Sequence, residues 1–145
     1  MRRLVEKDYL LRQIEKMGVI LAGLRQKAGG APAEALEQLR AEAAKAGVPL
    51  ALLDVLAPDA VVPLLGGDSL EKLLPAADVL LLKREIEEHL GDAAAAAASF
   101  EKASIVVGRL EELIDADGDP ELRTRLEDLK ARLADGGIDG EALRS

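Results

Sequence analysis

MRRLVEKDYLLRQIEKMGVILAGLRQK, residues 1–27, carries the clearest helical periodicity of the chain. Within it Leu10, Ile14, Met17, Leu21 and Leu24 stand 4, 3, 4 and 3 residues apart. At 3.6 residues per turn this spacing puts five apolar side chains on one face, so it predicts an amphipathic helix with a heptad seam. Seven basic residues (Arg2, Arg3, Lys7, Arg12, Lys16, Arg25 and Lys27) stand against Glu6, Asp8 and Glu15, a net +4. The remaining 118 residues hold 12 basic and 24 acidic side chains, a net −12. A basic helix ahead of an acidic body predicts docking on that body, on a second copy, or on a partner.

Outward from this helix, composition sets the class. The chain has 145 residues, the length of one domain, and should bury roughly 70% of the surface its unfolded form exposes. It is 49% hydrophobic and 32% charged, which fits a packed globular protein. Tyr9 and Phe100 are the only aromatics, so the core has to be built from Leu, Val, Ile and Ala. Leu and Ala are strong helix formers, and Ala lets helix axes approach closely. The expected fold is all-α: a compact helical bundle of five or six helices plus short turns. There is no cysteine, which excludes disulfides, thiolate metal sites and cysteine nucleophiles. Charges fall throughout residues 1–16, so no apolar signal-peptide core is expected there. No window approaches the roughly 18–20 apolar residues needed to span a bilayer. A soluble, cytoplasmic protein is the expectation. The net charge of −8 and the scarcity of aromatics disfavour nucleic acid, which needs a basic surface and stacking platforms.

Glycine and proline divide the rest. Residues 1–28 form the first helix, residues 29–134 a helical body, and residues 135–145 a flexible tail. Gly29-Gly30-Ala31-Pro32 breaks the first helix, and a second follows over Ala33–Ala46, with Leu36 and Leu39 inward and Gly47 as its stop. Pro49, Pro58 and Pro63 limit the apolar stretch from Val48 to Leu65 to brief helical turns. Two short buried strands are the alternative there. Asp68, with Glu71 three residues on, predicts the cap of a new helix. Ala76–Leu90 follows, then the Gly91-Asp92 turn and a long helix from Ala93 to about Ile114. Asp119-Pro120 caps a last helix, Pro120–Leu133, with Leu122, Leu126, Leu129 and Leu133 inward. Gly136-Gly137 should stop it.

Two stretches resemble known families. Leu81–Ala103 resembles one tetratricopeptide repeat, a helical hairpin with small residues at the crossing. Gly91-Asp92 makes the turn, Ala96 sits at the close contact, and Phe100 and Ala103 complete the second helix. Lys83 or Arg84 falls where that family has small or apolar residues. A single repeat implies hairpin geometry rather than a stacked array. The alanine run Ala93–Ala98 would then serve close packing. Lys7-Asp8-Tyr9-Leu10-Leu11-Arg12-Gln13-Ile14-Glu15 is similar to the opening of a family of small, uncharacterised bacterial helical proteins. That resemblance implies a helical, repeat-like body and no activity. In the structural version of this reading, Tyr9 packs while Arg12 and Gln13 bond to the acidic body.

No motif brings catalytic chemistry with it. Asp115, Asp117 and Asp119 fall at positions 1, 3 and 5 of a calcium loop. Position 6 then holds Pro120 and position 12 Leu126, where Gly and a bidentate carboxylate are required. An acidic turn capping the next helix is the better reading. His89 is the only histidine, sits at a helix C-terminus where a cation is favoured, and has no triad partners. Glu87/Glu88 and Glu111/Glu112 read as solvated faces. Gly29-Gly30 and Gly66-Gly67 lack the Lys and Ser/Thr of a phosphate loop. The expectation is therefore no cofactor, no metal and no evident small-molecule substrate. The leading functional expectation is a non-catalytic interaction or adaptor protein that binds a protein partner or dimerises through its first helix. Leu10, Ile14, Met17, Leu21 and Leu24 are the expected anchors, with Arg12 and Lys16 pairing acidic groups. The alternatives are adsorption of the same helix to anionic lipid, a carboxylate-only enzyme, or a first helix that is simply core.

Overall fold

The structure, a computed structural model, describes the backbone of residues 2–144 and the side chains of residues 8–134. Seven α-helices follow one another: α1 (Arg2–Ala28), α2 (Pro32–Lys45), α3 (Leu50–Val55), α4 (Val61–Leu64), α5 (Leu70–His89), α6 (Ala93–Asp117) and α7 (Pro120–Arg144). A 3-10 turn, Pro58–Ala60, links α3 to α4. There is no strand among the described residues, so the apolar stretch with its three prolines folds as brief helical pieces. Five long helices plus these short pieces match the expected five or six helices plus short turns, and each proline opens or lies within its own short element. Pro49 precedes α3, Pro58 begins the 3-10 turn, and Pro63 lies in α4.

The bundle is organised around α5. Thirteen of its residues are buried, on every side of the helix. α1 and α2 pack against it and against each other, while α6 crosses it most extensively and α7 packs on both α6 and α5. The heptad seam of α1 closes onto this core, with Leu10, Ile14, Met17, Leu21 and Leu24 each only 6–8% exposed. They join one hydrophobic cluster with Leu39 of α2, Leu73, Leu80 and Ile86 of α5, Leu110 and Ile114 of α6, and Leu126 and Leu129 of α7.

Several boundaries differ from the expected ones. The cap of α5 is Ser69, whose Oγ accepts from the Lys72 N–H at 3.3 Å. Asp68 instead pairs with Arg109 of α6. α5 then runs unbroken through Pro75. α6 continues to Asp117, and Gly118 ends it with φ +76°, a left-handed backbone that suits glycine. α7 extends through Gly136 and Gly137 to Arg144, past the expected stop. The side chains of residues 135–145, where a flexible tail was expected, lie outside the described residues. Of the alanine run only Ala96 is buried, and Ala93, Ala94, Ala97 and Ala98 are exposed. The run supplies helix propensity more than packing.

Candidate functional site

A helix buried on all sides cannot carry unpaired charge, and α5 carries four charged residues within its core. Asp78, Lys83, Arg84 and Glu87 are 1%, 4%, 9% and 4% exposed. Stripping water from an ion costs several kcal/mol, so each needs a partner at hydrogen-bonding distance.

Lys83 is at the centre of the first cluster. Its Nζ donates to Glu87 Oε2 at 2.5 Å and Ser99 Oγ at 3.0 Å, and it pairs with Asp54 Oδ1 at 2.9 Å. These contacts use all three of its N–H groups. Ser99 donates to Glu87 Oε1 at 2.6 Å. Nearby, Lys102 donates to the Leu53 carbonyl at 2.7 Å, neutralising the carbonyl end of α3. Two lysines and two carboxylates balance in charge.

A serine hydrogen-bonded to a lysine is also the raw material of a nucleophile–base dyad, and here the geometry opposes that chemistry. A general base must accept from the serine, whereas here Lys83 Nζ donates to Ser99 and its other N–H groups are taken by two carboxylates. Ser99 is 3% exposed, so no substrate carbonyl reaches its oxygen. The cluster ties α3, α5 and α6 together. Arg84 lies outside it, paired with Glu88 at 2.9 Å and 5.7 Å from the Phe100 ring centroid, a cation–π contact.

The second cluster joins α5 to α7. Both Asp78 carboxylate oxygens are taken, one by Arg125 and one by Arg132, the latter at 3.0 Å. Burial pushes the Arg132 guanidinium below its usual value, Asp78 pulls it back up, and Arg25 pushes it down further. On the α1 side, Arg25 grips Glu85 with two bonds of 2.8 Å.

Where the sequence placed a site, the structure places two faces of α1. Leu10, Ile14, Met17, Leu21 and Leu24 lie in the core of this same chain, so they are not free as anchors. Arg12 and Lys16 lie on the exposed side, and neither pairs with a described acidic residue. Tyr9 is 54% exposed, so it does not pack as expected, and Arg12 and Gln13 make no side-chain bond to the acidic body among the described residues. Beside Tyr9 runs an open cleft of about 320 Å³ between α1, α2 and the start of α5, rimmed by Gln13, Lys16, Ile20, Glu42 and Glu71. Tyr9, Gln13, Lys16 and Ile20 repeat at 4, 3 and 4, a second seam one residue behind the first.

The acidic run resolves into helix ends. Asp119 Oδ1 accepts from the Glu121 and Leu122 N–H groups at 2.9 and 3.0 Å, capping α7. Asp115 lies within α6 and pairs with Arg123 at 3.0 Å, and Asp117 is the last residue of that helix. Among the described residues no group of three or more His, Asp or Glu side chains has the arrangement of a metal site. His89 is exposed in the last turn of α5. Glu87 is not the solvated residue its pairing with Glu88 suggested. The signal for its burial was available: Lys83 and Glu87 stand four apart at the end of an apolar run, Val79–Leu82. Among the described residues no helix is long and apolar enough to cross a membrane. No protein-family model, no curated protein and no solved structure matches the chain.

Proposed function

We propose that this is a non-catalytic interaction or adaptor protein that binds a protein partner, or a second copy of itself, through the outer face of α1. The observation behind this reading is the division of that helix. Its inner seam is consumed by the core, while its outer side presents Tyr9, Val19 and Ile20 at 54%, 75% and 38% exposure beside the exposed Arg12 and Lys16, which pair with no acidic residue among those described. Exposed apolar side chains among charges of both signs, Arg12 and Lys16 with Asp8 and Glu15, suit a partner that offers a partly apolar face with complementary mixed charge. The carboxylate-only enzyme has less support, since the buried carboxylates are saturated by cations. Lipid adsorption has less support too, because the apolar face that would enter the headgroup region is turned inward.

Removing residues 1–27 would strip five core residues, so point variants on the outer face make the cleaner test. Sedimentation of the intact chain across a wide concentration range reads self-association, and affinity capture reads a partner. Either complex should be lost in Arg12→Glu/Lys16→Glu and in Val19→Glu, with helicity unchanged. A complex that survives all these substitutions, or a chain that stays monomeric and captures nothing, overturns the reading.

A further inference from the structure

On the opposite flank of α1, a second groove of about 460 Å³ separates α1 from α7, lined by Ala22, Arg25, Leu82, Arg125, Ala131 and Arg132 among others. It holds more donors than acceptors. Arg125 and Arg132 share the single carboxylate of Asp78, each through one terminal nitrogen. Arg25 engages Glu85 through Nε and Nη2. The remaining terminal nitrogens, Nη1 of Arg25, Nη1 of Arg125 and Nη2 of Arg132, therefore make no hydrogen bond among the described residues. In addition, the Nε groups of Arg125 and Arg132 are buried without a partner. Burial lowers the Arg132 guanidinium most, and Arg25 and Arg125 lower it further against the opposing pull of Asp78 and Glu85. The walls between the arginines are small or apolar, at Ala22, Ala131 and Leu82, which leaves room for more than an inorganic ion. Asp128 on the rim opposes an anion and limits its affinity.

We propose that the α1–α7 groove binds a small organic oxyanion, its carboxylate or phosphate held by Arg25, Arg125 and Arg132 and its apolar portion lying on Ala22, Leu82 and Ala131. Guanidinium forks match the two oxygens of either head group. The site lies across α1 from the outer docking face and stands independently of that reading.

The test is a titration of the full chain with phenyl phosphate and, separately, with phenylacetate, followed through the arginine Nε–H resonances. Saturable shifts at Arg125 and Arg132 are expected with at least one probe, and the tighter of the two names the head group. Ala131 and Ala22 are exposed, so Ala131→Glu and Ala22→Glu place a competing carboxylate in the groove without disturbing the core, and both should abolish the shifts. Asp128→Asn should tighten binding by about twofold to fivefold, the effect of one exposed charge. No saturable shift with either probe, shifts that persist in Ala131→Glu and Ala22→Glu, or an Asp128→Asn variant that binds no tighter would each overturn the proposal.

Discussion

Asp78 sits 1% exposed on the most buried helix of the protein, with a guanidinium on each oxygen. Removing the carboxylate leaves two arginines facing each other in a desolvated place. Asp78→Ala should therefore cost about 3–5 kcal/mol, the usual penalty for orphaning a buried charge. Urea denaturation measures it, and a loss below about 1 kcal/mol would mean that both arginines swing out to water. Lys83 makes a sharper comparison. Lys83→Ala leaves Glu87 and the Ser99 hydroxyl short of a cation and Asp54 with Arg40 alone, and should be as damaging. The triple replacement Lys83→Met/Glu87→Leu/Ser99→Ala removes charge and partner together, and Arg40 still pairs with Asp54. It should be neutral or stabilising, because apolar packing often equals or exceeds a buried ion pair. A triple variant less stable than the single one would show that the network contributes net energy. The sequence misled at Glu87, which was read with Glu88 as a solvated face because charges usually are; its partner Lys83 sits four residues earlier on the same helix and holds it inside.

Among the elements, α5 carries a proline that the helix should resist. Pro75 lies six positions into the helix, where its missing N–H would have met the carbonyl of Glu71. Pro75→Ala restores that bond and should stabilise the protein by about 1–3 kcal/mol, discounted from the full interior penalty because the site is near the helix start. A lower denaturation midpoint in the variant would show that the proline ring packs better than it disrupts. Helix positions were largely legible, since Gly47, Gly91 and the Asp119-Pro120 pair mark real ends. The largest misreading lies at α7, where two glycines fall inside a helix. Glycine weakens a helix by about 1 kcal/mol per residue and does not by itself stop one. The outer seam of α1, Tyr9, Gln13, Lys16 and Ile20, was equally present in the sequence. It stayed hidden because its polar members broke the apolar pattern.

For the whole molecule, the consequence of a central α5 is cooperativity. α1 and α2 cover one side of it and α6, with α7, the other, so no helical subset has a core of its own. Each large apolar side chain removed from a packed core costs about 2–5 kcal/mol, and residues 1–27 contribute five. A typical domain has only about 5–15 kcal/mol in total. Deleting residues 1–27 should therefore unfold the remaining chain, with a loss of far-ultraviolet circular dichroism well beyond the 27 residues removed. A truncated chain that keeps its helicity and a sharp thermal transition would show that α1 is an accessory to an independent body.

The sequence by itself determined the class of fold and most of the helices. Periodicity, caps and breakers act over a few residues and are written locally: the 4-3-4-3 seam, the proline-limited middle, and the glycine between α5 and α6. Only the tertiary structure decided what each helix face meets. An apolar stripe is the same whether it packs on its own chain or on another, and its own body won here because α2 and α5 offer it a complementary apolar face. Burial likewise turned Lys83, Glu87 and Ser99 into a closed network, and gathered Arg25, Arg125 and Arg132, up to 107 residues apart, around one groove. Long-range pairing of this kind depends on how the helices cross, which no local pattern specifies.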